Sequence, residues 1–107
     1  MSFLENQIMQ SRTIAITGHT RPDGDCVGAC MGLYNYIVEN YPEIRVDIFL
    51  EPIAGSYKLI KRTDEIRQPE GRPEAYDLFI CLDNSQKDRM TKGMEAYFDA
   101  AAATINV

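Results

Sequence analysis

The chain has 107 residues, 45% of them hydrophobic and 25% charged, which suits one domain with a modest core and argues against a disordered segment. A formal net charge of -5 argues against a broad nucleic-acid-binding face and against duplex nucleic acid as a partner, because affinity for phosphate backbones comes mainly from clustered Lys and Arg. A small phosphorylated ligand stays admissible, since bound cations reverse the sign of the local field.

Phe3, Leu4, Ile8 and Met9 recur at roughly helical spacing and predict a short amphipathic helix over residues 2–10. Thr13 to Thr17 is a compact β-branched run and the expected first strand. Pro22-Asp23-Gly24 has turn chemistry, and Asp25 is the expected cap of a helix that runs to about Asn40 and ends at Tyr41-Pro42. Along that helix Gly24, Gly28 and Gly32 recur every fourth residue. Each helical glycine costs about 0.5 to 1 kcal/mol relative to alanine, so the stripe is expected to permit close packing on a sheet.

Arg45 to Leu50 alternates toward a second strand, and residues 52–62 read as a short helix with Ile53, Tyr57 and Ile60 on one side. Gln68 to Pro73 is a loop. Asp77 to Leu82 is continuously apolar after its first residue, the pattern of a strand buried on both faces. Residues 88–101 read as a helix and Ala103 to Val107 as a fourth strand.

This alternation predicts an α/β domain, a parallel sheet with helices on both faces. Ligands of such sheets collect beyond the carboxyl ends of the strands. His19, Asp23 and Asp25 follow the first strand and Asp83 follows the third, and in the common order 2-1-3-4 those strands are neighbours. Each residue has a structural explanation: His19, the only histidine, as a hydrogen-bonded loop residue, Pro22 to Asp25 as a turn with a cap, and Asp83 as a strand terminator. Together they place one imidazole and three carboxylates at one end of one sheet, a donor set suited to a divalent cation that holds phosphate oxygens. Arg89, six residues after Asp83, has a structural explanation as a salt-bridge partner of Asp88 or Glu95.

The glycine spacing is not that of a dinucleotide-binding loop, although Glu51 after the second strand keeps that reading open. Cys26, Cys30 and Cys81 form no CxxC pair and are expected to pack as small hydrophobes in a reducing compartment. Cys26 and Cys30 lie one helical turn apart, which leaves a zinc reading open. The apolar runs fall short of the ~20 residues of a membrane span, and Met1 to Gln10 lacks the regions of a signal peptide, so the expected address is the cytoplasm, with no membrane partner.

The segment Gly18-His19-Thr20-Arg21-Pro22-Asp23-Gly24-Asp25, with its His-x3-Asp-Gly-Asp pattern, resembles motif I of the DHH phosphoesterase superfamily, and Leu82-Asp83-Asn84-Ser85-Gln86-Lys87-Asp88-Arg89 resembles its motif II. Ala103 to Val107 resembles the strand leading into the Asp-His-His signature. The superfamily includes RecJ-like exonucleases, family II inorganic pyrophosphatases and enzymes that degrade very short oligoribonucleotides or remove phosphate from adenosine 3',5'-bisphosphate. The spacing between the motifs, the Asp-Asn-Ser-x3-Arg form of motif II and the N-terminal helix look most like the last group.

The resemblance implies a manganese-dependent phosphoesterase in which His19 and Asp23 hold the first ion, Asp25 holds the second and Asp83 bridges the two. Asp25 and Asp83 would thus stand at the catalytic centre, with Arg89 at the substrate phosphate. Cys26 replaces a residue that is usually alanine. In that comparison the remaining second-site ligands and the C-terminal substrate-binding domain lie beyond Val107, so residues 1–107 are expected to be part of a DHH phosphoesterase domain, inactive alone. The implied partner is a small phosphorylated nucleotide or a very short RNA, and a homodimer is compatible with this reading. Two other classes fit a similar architecture: a receiver-like signalling domain, whose acids would follow the strand directly, and a non-catalytic folding or interaction module.

Overall fold

The computed structural model describes residues 3–69, 73–82 and 90–107. Its centre is strand β1, Thr13–Thr17, in which Ile14, Ala15, Ile16 and Thr17 are all buried. A strand covered on both faces needs apolar or hydrogen-bonded side chains at successive positions, which is how this run reads. β1 pairs in parallel with β2 (Arg45–Phe49) on one side and β3 (Leu78–Cys81) on the other, and β3 pairs in parallel with β4 (Ala103–Asn106). The order is β2-β1-β3-β4, the one expected.

Two apolar clusters cover the two faces. One joins Ile14, Ile16, Val46, Ile48, Leu78 and Ile80 to helix α2, Gly24–Asn40, and to Ile8 of helix α1, Phe3–Met9. α2 presents Cys26, Val27, Cys30, Met31, Tyr34 and Ile37 to this cluster, an apolar stripe at helical spacing. The other cluster is built on Ala15, Phe49, Tyr76, Phe79 and Cys81 and is capped by Tyr97 of helix α3, Glu95–Ala100. Phe49 and Tyr97 meet with ring centroids 5.2 Å apart. At the rim of this face Tyr76 donates to Asp47 Oδ2 at 2.6 Å, and burial together with that bond pushes its phenol up to about 12.

Four expectations are corrected. The glycine stripe does not pack on the sheet: Gly28 and Gly32 are exposed, with open space where a Cβ would stand, because the cysteines and aliphatic residues of α2 occupy the buried side. The cap of α2 is Asp23, whose side chain accepts from Cys26 N, while Asp25 lies in the first turn. Residues 52–62 form no α-helix; two 3-10 turns, Gly55–Leu59 and Thr63–Glu65, flank Arg62, which sits in the left-handed region at φ 69°. The Arg62 guanidinium ties this excursion to α2 through Asn35 Oδ1 and Glu39 Oε2. The helix expected over 88–101 is restricted, among the described residues, to Glu95–Ala100, and Gly93 at φ 94° turns the chain before it. No helix among the described residues is long and apolar enough to cross a membrane.

Candidate metal centre

The site begins where β1 ends. The Thr17 carbonyl accepts from Leu82 N at 2.9 Å, and its hydroxyl donates to Phe49 O at 2.8 Å, so the carboxyl ends of β2, β1 and β3 are tied to one another. Gly18 then passes against the first turns of α2: a Cβ there would stand 2.3 Å from Cys26 Sγ and 3.1 Å from Cys30 Sγ. A glycine is required by this close approach. Its carbonyl accepts from Thr91 N at 2.8 Å, and His19 makes an antiparallel bridge with Met90. The chain after motif II is thereby laid alongside the loop of motif I.

His19 is half-buried, and its Nδ1 lies 2.7 Å from the Thr20 carbonyl oxygen. A carbonyl only accepts, so this contact assigns the proton to Nδ1 and leaves Nε2 with a lone pair when the ring is neutral. That arrangement, one ring nitrogen donating to a backbone carbonyl and the other carrying the lone pair, is the one metal-ligating histidines adopt. Nε2 is 3.8 Å from Asp23 Oδ1. This is too far for a hydrogen bond and falls within the roughly 3 to 4 Å that separates two donors bound at about 2.1 Å to one cation.

Asp23 is extended at φ -90°, ψ -176°, and Oδ1 accepts from Cys26 N at 2.9 Å. The cap fixes the carboxylate, and its second oxygen takes no part in the cap. The unsatisfied N–H groups of the first turn give this end of α2 a positive partial charge that favours an anion nearby. Asp25 is exposed in that same turn. The structure thus brings His19 and Asp23 together and sets Asp25 one turn position further on. Asp83 and Arg89, the candidates from motif II, lie outside the described residues, as do Asn84, Ser85 and Asp88.

Among the described residues no three His, Cys, Asp or Glu side chains gather as a complete ligand set. The donors that are placed, a neutral imidazole nitrogen and a carboxylate oxygen, fit a hard or borderline divalent ion. Cys26, Cys30 and Cys81 are buried and packed in the two apolar clusters, which accords with the small-hydrophobe reading and gives the zinc reading no support.

The role of one residue, Glu51, differs from the one its position in the sequence suggests. Glu51, two positions beyond β2, accepts from Arg21 N at Oε1 (2.9 Å) and faces Lys92 N with Oε2 (3.5 Å). Its contacts span 30 and 41 positions, so no short-range pattern announces them. The carboxylate is engaged by backbone amides, which removes the ground for the dinucleotide reading. A cavity of about 660 Å³ lies in the segment that follows β2, lined by Pro52, Ile53, Lys58, Ile60 and Ile66; it reaches Glu51 but none of His19, Asp23 or Asp25.

Comparison with known proteins bears on this arrangement. The family model described as the DHH family, N-terminal domain, matches residues 13–107. No curated protein matches the chain. The match spans both motifs and all four strands, and the chain belongs to the DHH family, whose proteins are generally metal-dependent phosphoesterases that use divalent metals. That membership replaces the receiver-like reading.

Proposed function

We propose that the loop from Gly18 to Asp25 of this DHH-family domain is one half of a divalent-metal centre for phosphoester hydrolysis, acting on a small phosphorylated nucleotide or a very short RNA. The observation that carries the reading is the orientation of His19: Nδ1 is occupied by the Thr20 carbonyl, and Nε2 faces the capped carboxylate of Asp23 at 3.8 Å. In this reading His19 and Asp23 hold the first ion, with manganese the expected metal, and Asp25 contributes to the second. Asp83 as the bridge and Arg89 at the phosphate are carried over from motif II. Divalent ions held by these residues would supply Lewis-acid activation of a water and charge neutralisation at phosphorus.

The chain's own residues hold the donors in place. The Thr20 carbonyl fixes the imidazole tautomer, so no proton has to be redistributed before Nε2 can donate its lone pair. The cap fixes Asp23, and the N-terminus of α2 lowers the cost of bringing an anionic phosphate among carboxylates. Gly18 lets the loop that carries both donors leave β1 in close contact with the first turns of α2.

The finer substrate assignment is supported by the Asp-Asn-Ser-x3-Arg form of motif II and by helix α1 ahead of β1. The low net charge favours a small substrate over duplex nucleic acid. The test is phosphate release from adenosine 3',5'-bisphosphate and mononucleotide release from a dinucleotide, with excess manganese, by the full protein that carries this domain. His19→Ala is expected to lower both rates at least a hundredfold. Unchanged rates would overturn the assignment of the centre. Turnover of neither compound by a protein that binds manganese would overturn the substrate class, and a protein that neither binds manganese nor turns over either would be the non-catalytic module.

A further inference from the structure

The loop that carries the proposed ligands is held by more than its own local contacts. Arg21 lies between His19 and Asp23 with its backbone in the left-handed region, at φ 52°, a conformation that residues with side chains rarely adopt. A loop bent in this way persists only where surrounding contacts hold it. The contact here is the Glu51 carboxylate, which accepts from Arg21 N at 2.9 Å. The same carboxylate approaches Lys92 N with its other oxygen at 3.5 Å. Lys92 follows the Met90 and Thr91 backbone that pairs with His19 and Gly18. Glu51 therefore stands just beyond β2 with one oxygen toward each of two chain segments, the motif I loop and the turn after motif II.

We propose that Glu51 is a positioning residue for the metal centre: its carboxylate clamps the strained backbone at Arg21 and the turn at Lys92, and so sets the approach of His19 to Asp23. The proposal rests on the reading of His19 and Asp23 as ligands. A charged acceptor is suited to the task because hydrogen bonds from N–H to a carboxylate are stronger than those to a neutral oxygen. A carboxylate also has two oxygens to divide between two amides. Loss of a side chain that orients metal ligands commonly lowers metal affinity about tenfold to a hundredfold.

Manganese affinity, measured by calorimetry on wild-type, Glu51→Ala and Glu51→Gln proteins with circular dichroism as the check on folding, tests this together with amide hydrogen exchange at Arg21 and Lys92 in metal-free protein. The expected result is manganese binding weakened at least tenfold in Glu51→Ala, weakened less in Glu51→Gln, which keeps an acceptor for Arg21 N, and exchange at both amides at least tenfold faster in Glu51→Ala. A merely structural role would lower the melting temperature while leaving the affinity of the folded fraction unchanged. Wild-type binding retained within twofold by both variants would overturn the proposal. Absence of manganese binding by the wild type would instead overturn the metal reading of His19 and Asp23, and unaltered exchange at Arg21 would overturn the clamp itself. Should Glu51→Ala fail to fold, Glu51→Gln decides: full wild-type affinity together with unaltered exchange at Lys92 would overturn the divided carboxylate.

Discussion

Gly18 passes so close to Cys26 that a methyl group on its Cα would sit 2.3 Å from the cysteine sulfur, with Cys30 Sγ and Leu50 Cδ2 within 3.2 Å of the same point. All three neighbours are buried and packed, so none can swing aside. Gly18→Ala is expected to cost about 2 kcal/mol, the scale of an overpacked core site. Gly28→Ala, where the added methyl meets nothing within 4 Å, is expected to stabilise by about 0.5 to 1 kcal/mol through helix propensity. Urea unfolding of the two variants checks both signs. Equal effects would mean that the approach of the loop to α2 is looser than the structure has it.

Asp23 carries two tasks that substitutions can separate. Asp23→Asn keeps an oxygen for Cys26 N and is expected to leave stability within about 0.5 kcal/mol of wild type, since Asn and Asp cap equally well. It removes the anionic donor, so manganese affinity is expected to fall at least tenfold. Asp23→Ala is expected to lose the metal and about 1 kcal/mol of stability as well. Denaturant titration beside calorimetry distinguishes the two; retention of full affinity by Asp23→Asn would remove Asp23 from the ligand set.

Alkaline stability follows from Tyr76. Burial and the bond to Asp47 hold its phenol neutral in the folded chain up to about 12, against about 10 when unfolded. The unfolded state therefore releases its proton first as pH rises, and stability that is intact below pH 10 declines between pH 10 and 12, by roughly 2 to 3 kcal/mol for this one group. Tyr34, buried and bonded to Glu65 Oε1 at 2.6 Å, is shifted in the same direction and adds to the decline. Tyr76→Phe is expected to flatten the loss across that window. Melting temperatures of the two proteins measured from pH 9 to 12 check this, and parallel curves would show that the phenol is not held by Asp47.

The sheet was legible because β1 and β3 are short, uninterrupted apolar runs and the turn chemistry at Pro22 and Tyr41-Pro42 bounds α2. His19 and Asp23 were legible as a pair because both lie in one seven-residue loop. Local spacing misled where tertiary contacts decide. Asp23 and Asp25 are equally good caps in sequence, and the bond to Cys26 N selects the first. Residues 52–62 have helical apolar spacing, but Arg62 takes a left-handed backbone to reach Asn35 and Glu39, which no local propensity encodes. The glycines of α2 invited a packing explanation, and the buried face belongs instead to Cys26, Cys30 and Met31. Glu51 was invisible as a clamp because its partners come from two other loops.

The central claim is that His19 and Asp23 hold a divalent ion, and the most direct measurement is manganese binding by electron paramagnetic resonance, in which free and bound ion are resolved, for wild-type and His19→Ala proteins of matched circular dichroism. The account predicts one dominant site in the wild type, weakened at least tenfold in His19→Ala. Equal binding by the two proteins, or no binding by either, would contradict it.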